Sequence, residues 1–288
     1  MSNCGWFPMP ELSKGRQFDP ADNAAEWKML ASDIYDTPPL PPPTITSKST
    51  FYIHRNDLFR VYEGIRFANY IGIILNACFN VCWERAGYVG DEAIDKAYRM
   101  FADRFRKFSH YNGFEPYFWT TFENGPVTGI HSHMGLHIKE GCEARFRQWL
   151  SRALMNAKGE PMDKDDYYVD IRRCNEHSIS RQWFSFQYGF KGLDPRLSPA
   201  EQSNYPTGTT LNYLAGVREE YTGALSLKRV RISRTMREAA HKKANYQVIH
   251  SMADIDIEKR YDYSEYRRGI SDRTQAEISN SLRNLEDL

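Results

Sequence analysis

Residues 116–138 read PYFWTTFENGPVTGIHSHMGLHI, an aromatic and β-branched run closed by Gly and Pro and followed by a second, alternating run. Two such runs around the turn GPVTG predict a β-hairpin. That commits this part of the chain to an antiparallel sheet, because a tight turn joins only antiparallel neighbours.

The flanking segments say what covers the sheet. Residues 56–83 read as one largely apolar helix, ending in YIGIILNACFNVCW, which Asn76 and Asn80 interrupt. Asp91 is the expected N-cap of EAIDKAYRMFADRFRKF, where Ile94, Ala97, Phe101, Phe105 and Phe108 recur at helical spacing. KEGCEARFRQWLSRALMNAKG gives a third helix, with Phe146, Leu150 and Leu154 on one face. DDYYVDIRRC reads as a further strand, and SISRQWFSFQYGFKG as a helix ended at Gly192 with Pro195 beyond. Helix, strand, strand, helix, strand, helix is the order of an α+β fold, an antiparallel sheet carrying a His-x-His strand and flanked by helices.

Outside this stretch the chain changes character. Residues 1–50 are polar, and five of the six residues from 38 to 43 are proline, as in an extended arm. SLKRVRISRTMREAAHKK (226–243) holds seven Lys/Arg against one Glu, and the tail after 251 is charged and poor in apolar residues. The expected divisions are therefore an arm over 1–50, a domain over 51–195 and a basic, helical region over 196–288.

Composition narrows the setting. A net charge of +1 rules out a uniformly acidic or basic protein, so any charged partner must be met by a local cluster. Five scattered cysteines make no disulfide framework and favour a reducing compartment. The most apolar run, at 14 residues, is short of a bilayer span, and the first residues show no secretory signal pattern. A cytoplasmic protein without membrane attachment is the expectation.

His131, His133 and His137 lie within seven residues. On a strand they project to one face, with Gly135 leaving space between them, and Glu123 sits just across the turn. Solvent-facing histidines on a half-exposed strand are the plain alternative. Imidazoles accept Mn²⁺, Zn²⁺ or Fe²⁺ readily and suit Mg²⁺ less well than carboxylates do. The HExxH pattern and paired zinc-finger cysteines are absent, and Glu140 lies too far on for a cupin-like strand.

Downstream, Tyr188 and Lys191 stand in YGFKG. An aromatic-threonine strand (FWTTFEN), a His-x-His strand and then a helix with Tyr-x-x-Lys, in that order, resembles the HUH endonucleases. These are rolling-circle replication initiators, relaxases and single-strand transposases. The likeness covers about residues 116–192, and the context ENGPVTGIHSHMGLHI looks like the initiators of plasmids and phages. Ser132 departs from the pattern, which has a hydrophobic residue between the histidines.

The resemblance implies that residues 51–195 form the catalytic domain. His131 and His133 would hold a divalent ion, Mn²⁺ or Mg²⁺, with His137 or Glu123 as the third ligand. Tyr188 would be the nucleophile and Lys191 its helper. Single-stranded or origin DNA and host replication proteins are the implied partners. The basic segment offers Lys228, Arg229, Arg231 and Arg234 to phosphates, although a solvated helix face explains it as well. Two other classes stay open: a DNA-binding protein on the same fold without catalysis, and a His-ligated metal hydrolase or oxygenase on another fold.

Overall fold

A computed structural model describes residues 49–126, 128–198, 202–248 and 263–286. The proline-rich part of the arm lies outside the described residues. The fold is α+β: among the described residues, five strands form one antiparallel sheet and seven helices accompany it. In chain order the elements are α1 (Arg55–Tyr70), β1 (Ala77–Cys82), α2 (Asp91–Tyr111), β2 (Phe118–Gly125), β3 (Gly129–Leu136) and α3 (Glu143–Ala153). They continue with β4 (Tyr167–Ile171), α4 (Glu176–Gly189), α5 (Leu211–Ala215), β5 (Val230–Ile232), α6 (Glu238–Lys243) and α7 (Tyr263–Glu286). The strand order is β4-β1-β3-β2-β5. The expected hairpin is its centre, with Glu123 opposite His131 and Thr121 opposite His133.

The sheet is buried on both faces. Phe79, Phe118, Phe122, Met134 and Leu136 pack with Ile94, Phe101, Phe105 and Phe108 of α2 and with Phe146 and Leu150 of α3. Trp119, Val230 and Ile232 meet Leu58, Val61 and Ile65 of α1 and Ile179, Trp183 and Phe186 of α4 on the other side. Each such fully buried side chain contributes roughly 1.5–3 kcal/mol by leaving water.

Three expectations change. The apolar helix expected over 56–83 stops at Tyr70; Gly72 turns the chain with φ of +73°, and β1 follows. β1 is the strand between β3 and β4, so both its faces are covered and its sequence carries no alternation. Asp91 is the first residue of α2 rather than its cap, and its carboxylate accepts the backbone N–H groups of Ser226 and Leu227. The basic segment is not one helix. It supplies β5 to the edge of the sheet, followed by a 3₁₀ turn (Arg234–Met236) and α6. β5, from the region after residue 196, thus joins the same sheet as the strands before it.

α4 is the remaining element that places the site. Asn175 and Ser178 form a reciprocal capping box at its start, and it ends at Gly189, three residues before the glycine expected to stop it. Gly189 lies against Cη2 and Cζ3 of the Trp119 ring, and Gly135 of β3 against its Nε1 and Cε2. A Cβ on Gly135 would overlap Trp119 Nε1 and stand 2.8 Å from its Cε2. The indole fills the space that the sequence suggested lay open between histidines.

Gly135→Ala should therefore destabilise the protein by about 1–3 kcal/mol, because the buried Trp119 has nowhere to move. Urea unfolding measures this, and an unchanged midpoint would show that the indole tolerates the methyl group.

Candidate metal centre and tyrosine

Among the described residues, Glu123, His131 and His133 bring one ligand atom each within 4.8 Å of one another. Glu123 Oε2 is 3.3 Å from His131 Nε2 and 3.5 Å from His133 Nε2. β2 and β3 put all three on the face covered by α4.

The far side of each imidazole fixes its proton. His131 Nδ1–H donates to the Gly129 carbonyl at 2.9 Å, with Thr128 Oγ1 at 3.1 Å. His133 Nδ1–H donates to Asn80 Oδ1 at 3.0 Å. With Nδ1 carrying the proton, each Nε2 turns a lone pair towards the carboxylate. Burial pushes the His133 imidazole down to about 4, so it is neutral near pH 7. Glu123 Oε1 and His133 Nε2 are buried and make no hydrogen bond, and neither does Thr121 Oγ1 beside them. Lewis bases facing one another without a proton between them form the arrangement that ligands adopt around a cation. One carboxylate and two imidazoles suit Mn²⁺, Zn²⁺ or Fe²⁺, so the residues fit the group.

Charge around Glu123 is balanced within the protein. Burial would raise its carboxyl, but the Lys191 ammonium, the largest opposing influence, holds it well below the usual carboxylate range. Lys191 Nζ lies 3.2 Å from Glu123 Oε2 and 3.4 Å from Glu220 Oε1. Burial alone would lower the lysine; Glu123, Tyr188 and Glu220 outweigh it and push the ammonium above its ordinary value. Lys191 is a fixed positive charge here, not a base.

Tyr188 closes the site from above. Its ring meets His133 edge-to-face at 4.8 Å, and Lys191 Nζ sits 4.5 Å from its centroid. The residue is 37 % exposed. Burial raises the phenol above its ordinary value, and Lys191 opposes that rise.

Five of the residues singled out in the sequence thus converge: Glu123, His131, His133, Tyr188 and Lys191. His137 does not join them. It follows the last residue of β3, donates Nδ1–H to the Ile74 carbonyl at 2.8 Å, and is held between the rings of Phe114 and Tyr117. Arg229 and Arg231 are also withdrawn from any partner. Arg229 is buried and donates to the Thr50 and Gly223 carbonyls and to Thr222 Oγ1, whereas Arg231 pairs with Asp95 and lies over Tyr98. Lys228 and Arg234 are exposed. Ser132, the departure from the HUH pattern, points to the opposite face and accepts the Trp83 indole N–H at 2.9 Å.

Asn80, Thr128 and Glu220 belong to the site although their sequence surroundings gave no sign of it. No helix among the described residues is long and apolar enough to cross a membrane. No protein-family model, curated protein or solved structure matches the chain.

Two outcomes test these assignments. His131→Ala combined with His133→Ala should abolish Mn²⁺ binding in calorimetry; binding equal to that of the wild type would place the ion elsewhere. His137 gives a pH signature instead. Burial lowers its imidazole from 6.5 to about 4 in the folded state. Between those values the unfolded chain binds the extra proton. Its contribution is complete above about pH 6.5 and is lost as the pH falls towards 4, on the order of 3 kcal/mol in all. His137→Asn keeps an N–H donor but does not titrate, so the metal-free variant should lose less stability between pH 7 and 4.5. Parallel urea curves for the two proteins would remove His137 from this account.

Proposed function

We infer that the protein is a metal-dependent, single-tyrosine DNA nicking and joining enzyme that initiates rolling-circle replication of a plasmid or phage. The observation that carries this reading is the seat of Tyr188 on His133, beside an ammonium that touches the carboxylate of the same Glu/His/His group. Three separate elements bring a nucleophile, a cation and a metal-ligand set to one point, in the roles that the HUH resemblance assigns them.

The chemistry uses each group once. The Tyr188 phenol oxygen attacks a backbone phosphorus as its proton leaves to water. A bond from that oxygen to phosphorus forms, and the bond to the 3′-oxygen breaks. The products are a 5′-phosphotyrosine and a free 3′-hydroxyl, and reversal by a 3′-hydroxyl rejoins the strand. A divalent ion held by Glu123, His131 and His133 would polarise the phosphate and stabilise the departing oxygen. Lys191, beside the tyrosine ring, favours the phenolate. The exposed Lys228 and Arg234 retain a role as phosphate contacts, and host replication proteins remain implied partners.

The donor set itself favours a second reading. Two histidines and one carboxylate also compose the triad of non-haem iron oxygenases. That chemistry assigns no task to Tyr188 or Lys191, and it produces no covalent DNA adduct.

Incubation with single-stranded origin DNA and Mn²⁺ should leave an adduct that survives denaturation. Tyr188→Phe, which keeps the ring, should abolish the adduct and preserve Mn²⁺ binding. Tyr168 stands opposite Asn80 on the sheet face that carries the histidines, whereas Tyr167 packs beneath, towards α2. Tyr168→Phe is therefore the critical control. An adduct lost there and kept in Tyr188→Phe would reassign the nucleophile, and none from the wild type would favour the reading without strand cleavage.

A further inference from the structure

Lys191 faces two carboxylates, and the metal reading gives one of them another task. Glu123 Oε2 is at once the nearest carboxylate oxygen to the ammonium and the atom that both histidines approach. A divalent ion bound there would stand close to a second positive charge, which repels it strongly in a buried setting. Glu220 is the alternative partner. Its Oε1 lies 3.4 Å from the ammonium, and its backbone N–H donates to the Lys191 carbonyl at 2.8 Å.

The segment bearing Glu220 is firmly placed. Asn124, next to Glu123 on β2, donates its backbone N–H to the Thr222 carbonyl at 2.8 Å and its side-chain amide to the Ala224 carbonyl at 3.2 Å. The buried Arg229 donates to Thr222 Oγ1 and to the Gly223 carbonyl from below. The guanidinium expected to meet DNA instead anchors this loop against the strand that carries Glu123.

We propose that Glu220 is a positioning residue: it takes the Lys191 ammonium when Glu123 turns to a metal ion, and so holds that charge beside Tyr188. This rests on the metal-centre reading. The groups facing the ammonium are Glu123 from β2, Tyr188 from α4 and Glu220 from the loop, with His131 and His133 behind Glu123. In the metal-free protein Lys191 bridges the two carboxylates; in the loaded protein it rests on Glu220 alone.

Mn²⁺ affinity, measured by calorimetry without DNA, tests this through a double-mutant cycle. Glu220→Ala strands the ammonium on Glu123 and should weaken Mn²⁺ binding roughly five- to tenfold, the scale of an ordinary coupling between two sites. Lys191→Met removes the competing cation, so binding should tighten and Glu220→Ala should have no further effect. Glu220→Asp should restore most of the wild-type affinity. The Glu220 side chain is 42 % exposed, so Glu220→Ala and Glu220→Asp keep the fold, and unfolding curves on the metal-free proteins establish that Lys191→Met, at a side chain only 10 % exposed, folds as well. An equal loss on Glu220→Ala in both backgrounds would show that Glu220 acts on the site without Lys191, and no loss in either would show that the ammonium does not move to it. Both results overturn the proposal while leaving the metal centre intact. A wild-type protein that binds no Mn²⁺ overturns the metal centre and this proposal together.

Discussion

Glu123 stands directly across from His131, and Thr121 from His133, in the antiparallel pairing of β2 and β3, and everything else at the site inherits that register. A slip of β3 by one residue against β2 would turn both histidines into the packed layer under α2 and α3, away from Glu123, and would bring Ser132 and Met134 to the other face. The two faces are chemically too different for that. Phe118, Phe122, Met134 and Leu136 belong to the layer with the rings of α2, and Ser132 has its partner there in Trp83. The apolar side of the sheet thus holds the polar side in place.

Burial of charge then decides what the polar side can do. A carboxylate at 2 % exposure is costly unless it is paired, and Glu123 has the Lys191 ammonium 3.2 Å away. Apart from the histidines, Glu123 and Glu220 carry two negative charges against the one positive charge of Lys191. A bound divalent ion would change that sum of −1 to +1, the sign that suits a phosphodiester monoanion. The same bookkeeping explains why Lys191 cannot serve as a base: its surroundings hold the proton on.

Much of this was legible in local sequence. The hairpin, α2, α3, β4 and the bulk of α4 each carry their own periodicity or turn residues, and Glu123, His131, His133, Tyr188 and Lys191 stood out by type and order. β1 was not legible, because a strand covered on both faces and a buried helix segment give the same apolar run. Asn80, which looked like an interruption in that run, holds His133 through its side chain. His137 shares the strand parity of its neighbours, but parity does not reveal that β3 ends at Leu136 or that Trp119 fills the space at Gly135. Arg229 looked like a phosphate ligand because sequence records charge and not burial. Glu220 meets Lys191 from 29 residues away, through a loop with no regular pattern to read.

The height of Tyr188 above the sheet has a separate cause, and it joins the core to the chemistry. Trp119 lies between Gly135 of β3 and Gly189 of α4, and a Cβ on Gly189 would come within 2.8 Å of the indole ring. Two glycines therefore let the end of α4 approach the strand with one aromatic ring between them. Tyr188 is the residue before Gly189, and its ring lies 4.8 Å from that of His133. A larger residue at either glycine would press on the indole and disturb the packing beneath Tyr188, even with every polar group unchanged. Packing of Trp119 is thus a condition for the site as much as for stability, since α4 has no hydrogen bond to the histidine strand through Tyr188 that could hold the ring down in its place.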